Sequence, residues 1–341
     1  MPIIFMPARS AVPRYTVFGK LPRRADFVRI GDGAAVVREF DELLARSLAY
    51  ASRQPDWDEA QYLAGGACDF QFTSDNGREC FTGVLHPSHD EAGRLFPLVA
   101  GAILSAPLIV PHTPELTIAN ELFFSGLREQ LASAVAHAVD LVACRQFLDI
   151  WITPNPYAED DIGLAAQILT RHLNRANAAL WHAALIETGQ GGLDDCLLAH
   201  LFQDSAARRG AAPVLLPLSA TQGEDTLDQA AWLALYRAAS GCDLAPDYLC
   251  LSRSGRRTLI VSPGRLHERS LAPVWGMAPE PAADAASWRQ HPAQARAAWA
   301  LARQLQDPAP GLAPLIDTLA RIVRGLAAPP RNPPFPFSFI N

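Results

Sequence analysis

The sequence predicts an α/β fold: a central, largely antiparallel sheet flanked by helices, with a helical, Pro-rich extension at its C-terminal end. Three observations predict it. Short β-favouring runs alternate with stretches of 3.6-residue apolar periodicity. Tight turn signals join two pairs of the runs. Twelve of the 28 prolines follow residue 272, where the pattern turns Ala-rich and helical.

The elements follow in order. Tyr15–Phe18 and Phe27–Ile30 read as strands on either side of a Pro-bearing turn. Gly31-Asp32-Gly33 then breaks the chain, and a helix runs from about Ala34 to Ser52, with Val36, Val37, Phe40, Leu43, Leu44 and Leu48 on one face. Phe70–Phe72 and Phe81–Leu85 are strands joined through Asp75-Asn76-Gly77, where Asn and Gly tolerate positive φ. Phe96–Ile109 reads as a buried strand and Ile118–Val139 as a helix with Leu122, Phe123, Leu127 and Leu131 inward.

After Thr153-Pro154-Asn155-Pro156 the spacing predicts a helix at Ile162–Leu173, a strand at Leu180–Ile186 and a helix at Leu193–Ala206. A strand at Pro213–Leu216 precedes a helix at Thr226–Ala239 capped by Thr226. Tyr248–Ser252 and Thr258–Val261 form a hairpin around Ser254-Gly255, and helices follow at about Ala282–Leu305 and Leu312–Leu326. At about 150 residues per domain, 341 residues divide into a 1–145 N-terminal α/β region, a 146–275 second α/β half packing on it, and a 276–341 extension.

Charge and cysteine usage narrow the function. The net charge of −6 is unevenly spread: basic ends (residues 1–31 and 253–341) bracket an acidic middle. A nucleic-acid protein would concentrate a basic face at high pI, so the expectation is that the ends fold back onto the middle or that an ionic partner docks there. Six cysteines are too sparse for a disulfide scaffold, and Cys144, Cys196 and Cys250 sit among apolar neighbours as buried thiols. The opening residues lack the pattern of a signal peptide, and the longest apolar run, Leu95–Pro111, is broken by Pro97 and Pro107. The expected location is the cytoplasm, without membrane insertion.

No familiar catalytic set is legible. Gly31-Asp32-Gly33-Ala34-Ala35-Val36 has the strand-turn-helix context of a dinucleotide site, but Val36 stands where close helix–strand packing wants Gly or Ala. A nucleotide-binding enzyme using the Gly31–Gly33 turn is therefore the alternative, and a plain turn is the simpler account. Gly189–Gly192 precedes Asp194 and Asp195, which would repel a phosphate. Ser88-His89-Asp90 are triad residue types, yet sequence neighbours cannot meet in triad geometry. His86-x-x-His89 could ligate a metal on a helix, but Pro87 opposes one and no third ligand is evident. No cofactor or metal is expected.

Two segments carry more than structure: Phe18-Gly19-Lys20-Leu21-Pro22-Arg23-Arg24-Ala25-Asp26-Phe27-Val28, and Gly83-Val84-Leu85-His86-Pro87-Ser88-His89-Asp90-Glu91-Ala92-Gly93-Arg94-Leu95-Phe96-Pro97-Leu98. Together they resemble the TagF (ImpM) family associated with bacterial type VI secretion, with its GKLP-x-x-GDF opening and later G-x-L-x-PS-x-D-x-x-GR-x-FPL stretch. Ala25 departs from the family's Gly, and Glu91-Ala92 replaces the commoner Arg-Val. The resemblance covers roughly residues 15–140. It implies a longin-like α/β sandwich, no enzymatic activity, and post-translational repression of secretion through the forkhead-associated (Fha) scaffold protein. The motif positions it marks as partner-binding candidates are Gly19, Lys20, Leu21, Pro22, Asp26, Phe27, Gly83, Pro87, Ser88, Asp90, Gly93, Arg94, Phe96 and Pro97.

The residues also have a physical reading of their own. Pro22, Pro87 and Pro97 fix φ beside strands, and Asp26 or Asp90 is placed to accept turn N–H groups and to pair with Arg94 or Lys20. Such a pair is structural glue if buried and part of a docking rim if exposed. Lys20 is the one lysine among 29 basic residues. A compact ammonium on a flexible stem suits a tight turn better than a planar guanidinium.

Overall fold

Alternating apolar runs place side chains on both faces of one sheet. In the computed structural model these runs pair into an eight-stranded antiparallel sheet of order β2-β1-β5-β4-β3-β7-β8-β6. The structure describes residues 14–137, 146, 159–187, 213–221, 223–240, 247–253, 255–262, 265–277 and 311–327. The strands are β1 (Arg14–Gly19), β2 (Val28–Gly31), β3 (Cys68–Thr73), β4 (Glu79–His86), β5 (Leu98–Ser105), β6 (Val214–Pro217), β7 (Tyr248–Arg253) and β8 (Arg256–Val261). Central strands β4 and β5 are buried on both faces over Cys80–Leu85 and Leu98–Leu104, which is why β5 reads as a nearly unbroken apolar run.

One face is covered by α1 (Ala35–Ala51), α2 (Glu59–Leu63) and a 3₁₀ segment, Glu268–Trp275. Its core is aromatic: Phe40 stacks on Phe70 at 4.4 Å and meets Phe81 edge-on at 5.7 Å. Truncating a ring so enclosed costs about 3–5 kcal/mol. Ser47 clamps the 3₁₀ segment to α1, donating to the Glu268 carbonyl at 2.7 Å and accepting from Trp275 Nε1 at 2.5 Å.

The opposite face carries α3 (Ala106–Ile109), α4 (Thr113–Ala119), α5 (Glu121–His137), α6 (Glu159–Arg175), α7 (Ala178–Glu187), α8 (Glu224–Ser240) and α9 (Leu312–Ala327). Strands from the later part of the chain extend the same sheet, with Asp69↔Cys250 and Phe70↔Leu249 in register across β3 and β7. The result is an α/β sandwich with an antiparallel sheet, as the sequence predicts.

Several elements differ from the sequence reading. Leu180–Ile186 is not a strand but the body of helix α7, with Leu185 buried and Leu180 and Ile186 outward. Phe96–Ile109 is strand only over Leu98–Ser105; Pro107 lacks the N–H a strand needs and instead sits in the first turn of α3. The helix expected from Ile118 breaks at Asn120 between α4 and α5, and Leu122 is 68% exposed, not inward. Thr226 does not cap its helix, which starts at Glu224; its hydroxyl donates to Glu121 Oε2 at 2.8 Å. The helices expected at Leu193–Ala206 and Ala282–Leu305, and most of the Pro-rich end, lie outside the described residues.

Candidate functional site

Both motifs fold to the same end of the sheet. β1 pairs with β5 and β5 with β4, so the β1–β2 loop after Gly19 meets the β4–β5 loop after His86. The approach is close: Gly19 has φ +128°, and a Cβ there would lie 2.0 Å from the Pro97 carbonyl oxygen. Gly83 likewise faces Gly101 across the ladder, where a Cβ would lie 2.1 Å from the Ala100 oxygen. These two motif glycines are packing requirements of the sheet.

Asp90 is the hub of the two loops. Its side chain is fully buried, and Oδ2 lies 3.1 Å from Lys20 Nζ and 2.7 Å from Arg94 Nε. Oδ1 accepts the backbone N–H groups of Ala92 and Arg94 at 3.0 and 2.8 Å. Burial pushes this carboxyl's pKa up, but the Arg94 N–H, the Lys20 ammonium and the Arg94 guanidinium outweigh it and hold it at about 2. Arg94 Nη2 goes on to donate to the Ala25 carbonyl at 2.8 Å, and the Glu91 N–H donates to the Arg24 carbonyl at 3.1 Å. At positions 25 and 91 the contacts run through main chain, so neither the Ala25 nor the Glu91 side chain takes part in them.

Ser88 is buried and donates to the Lys20 carbonyl at 2.8 Å, while its own N–H donates to Tyr62 Oη at 3.2 Å. Pro87, Phe96, Pro97 and Leu21 are buried as well. Asp26 plays no part in the lock: it is exposed, and the aspartate role falls to Asp90. Pro22 is half-buried, and Gly93 supplies the left-handed turn (φ +78°) that brings Arg94 back onto Asp90. Phe27 is 40% exposed, its ring 5.4 Å from Phe96 and 6.3 Å from Phe18, with the Arg29 guanidinium over it. Exposed Arg23 and Arg24 complete the rim.

The other candidates resolve into structure. His86 and His89 are not on a helix; each ring Nδ1 sits 2.8 Å from a neighbouring carbonyl oxygen, and burial lowers the His86 pKa. Among the described residues no group of three or more His, Cys, Asp or Glu is placed to hold a metal ion. In the Gly31–Gly33 turn, Gly31 has φ +96° because the backbone passes close to the Tyr15 carbonyl. Asp32, two residues before the Ala34 N-cap of α1, pairs with Arg14 at 3.0 Å. Cys68, Cys80 and Cys250 are free, buried thiols; burial pushes all three pKa values up, that of Cys250 to about 12. Cys144 and Cys196 lie outside the described residues.

A second ionic cluster escapes sequence reasoning altogether. On the helical face below β3, buried Asp69 meets Arg257 Nη2 at 2.6 Å and Arg128 Nε at 3.2 Å. Arg257 also pairs with Asp225 at 2.7 Å, and Arg128 with Glu121 at 3.0 Å. Burial pushes the Asp69 pKa up and the two guanidiniums pull it back. Beside it, Gln71, Thr82, Thr113, Thr117, Asn120 and Tyr248 line a cavity of about 10 Å³, room for one water.

Fold and site together define an α/β sandwich protein whose two motif loops form a rim locked by one buried aspartate. Residues 16–150 match the model of the TagF N-terminal domain, type VI secretion system-associated. No curated protein matches the chain. It is similar to the crystal structure of PA0076 from Pseudomonas aeruginosa PAO1, with 23% identity over 45% of this chain and a TM-score of 0.30. The chain spans 61% of the length of that protein. Among the described residues no helix is long and apolar enough to cross a membrane.

Proposed function

We propose that this type VI secretion-associated protein is a cytoplasmic, post-translational repressor of the secretion apparatus that acts by binding its Fha scaffold protein. The observation that supports the reading best is the division of labour within the motifs. Gly19, Lys20, Ser88, Asp90 and Arg94 hold two loops in one shape through buried or main-chain contacts. Arg23, Arg24 and Phe27 are left facing solvent on that fixed frame. A rigid exposed rim loses little conformational entropy on docking. On this reading the protein needs no cofactor or metal and turns over no substrate.

The test is a pull-down of the purified full chain with the Fha scaffold, paired with a secretion assay during overexpression. Saturable capture of the scaffold and reduced secretion are expected. Absence of capture, or undiminished secretion, would overturn the reading.

A further inference from the structure

We infer that the open edge of strand β2 is the docking edge, and that it takes an extended partner segment alternating apolar and acidic residues. This deepens the proposed function and rests on it.

The register fixes which groups the edge offers. The Asp32 N–H donates to the Tyr15 carbonyl at 3.0 Å, and the ladder continues as Thr16↔Gly31, Val17↔Ile30, Phe18↔Arg29 and Gly19↔Val28. Antiparallel alternation then makes Val17/Ile30 and Gly19/Val28 the hydrogen-bonded pairs. The N–H and C=O of Arg29 and Gly31 consequently point away from β1, and among the described residues no strand pairs with that side. Arg29 and Gly31 are both exposed.

The side chains set the chemistry of the occupant. On one face the edge shows Phe27 and Arg29, whose guanidinium lies over the Phe27 ring and pairs with Asp41 at 2.5 Å, while the loop leading into it carries Arg23 and Arg24, exposed and without a side-chain partner among the described residues. On the other face Val28 and Ile30 are half-buried against the core. A strand added here sends alternate side chains to the two faces. Its acidic positions meet Arg23 and Arg24, and its apolar positions extend the Val28–Ile30 surface. A second copy is the poorer occupant, because its own edge, Val28-Arg29-Ile30-Gly31, carries no acidic side chain to meet Arg23 and Arg24.

The experiment uses the full chain and the Fha scaffold, with Arg29→Pro, Arg29→Ala and the double variant Arg23→Glu/Arg24→Glu. Proline removes the outward N–H, and alanine removes the same side chain but keeps that donor. Thermal melting confirms that each variant folds. Expected are slowed amide exchange at Arg29 and Gly31 in the complex, binding about tenfold or more weaker for Arg29→Pro than for Arg29→Ala, and a similar loss with the charge reversal. If the wild-type chain does not bind the scaffold, the proposed function itself fails. If it binds but those amides exchange as before and Arg29→Pro matches Arg29→Ala, the docking edge alone is overturned. Protection of the same amides in the free protein, growing with concentration, would assign the edge to a second copy and overturn the inference too.

Discussion

Lys20 Nζ lies 3.1 Å from Asp90 Oδ2, and the carboxylate it reaches is wholly buried between the two motif loops. This is the position where the chain keeps its one lysine. The ammonium reaches Asp90 while the Lys20 carbonyl accepts from Ser88, so the side chain and backbone of one residue grip the opposite loop twice. Lys20→Met is expected to lower the melting temperature by a few degrees, with the Asp90–Arg94 contacts left in place.

Asp90 itself predicts acid sensitivity. Its native pKa of about 2 lies below the ordinary value near 3.9, so its contribution is fully present above about pH 4 and is lost as the pH falls through about 2. Asp90→Asn is therefore expected to be less stable than wild type at pH 7, with the gap closing between about pH 4 and pH 2. Urea unfolding of both proteins across that range checks it.

Asp247 carries the opposite sign. It accepts from the Thr73 N–H at 2.8 Å, but burial dominates and raises its pKa to about 6, against the pull of Arg265 and the Thr73 N–H. The native state takes up this proton before the unfolded chain does, so stability rises as the pH falls from above 6 toward 4. Relative to Asp247→Asn, wild type should gain on the order of 2–3 kcal/mol over that interval, read by chemical unfolding at several pH values.

The glycines give a spatial test. Gly19→Ala must place a methyl against the Pro97 carbonyl at a positive φ, and is expected to cost about 3 kcal/mol or more. Gly33 has open space and no positive φ, so Gly33→Ala should change stability by no more than about 1 kcal/mol, in the stabilising direction. Thermal melts of the two variants side by side separate the positions.

Arg257 ties β8 to both Asp69 and Asp225 in a nearly dry site. Arg257→Met leaves two buried carboxylates without their shared cation and should cost about 3–5 kcal/mol. Asp69→Leu combined with Arg257→Met should recover part of that loss, which a double-mutant cycle measures.

Local signals carried much of this into the sequence. The Asp75-Asn76-Gly77 turn, the α1 apolar stripe and the β7–β8 hairpin each depend on residues within a few positions of one another. Ala178–Glu187 misled because it is apolar nearly all round, so no period separates a buried strand from a helix. Asp69–Arg257 spans 188 positions, and no local pattern marks either residue as the other's partner. The motif spacing placed Asp90 and Arg94 together, but the choice of Asp90 over Asp26 needed the loops in three dimensions.

One consequence of the β3–β7 pairing concerns where the recognisable family stretch can be cut. The family match ends at residue 150, but the sheet does not. Trimming the chain there strips the neighbour from β3, leaves Asp69 without Arg257, and turns an interior strand into a sticky flank. The stretch that matches the family model is thus not a portable module: its sheet and its buried charge are completed by residues roughly a hundred positions further along the chain.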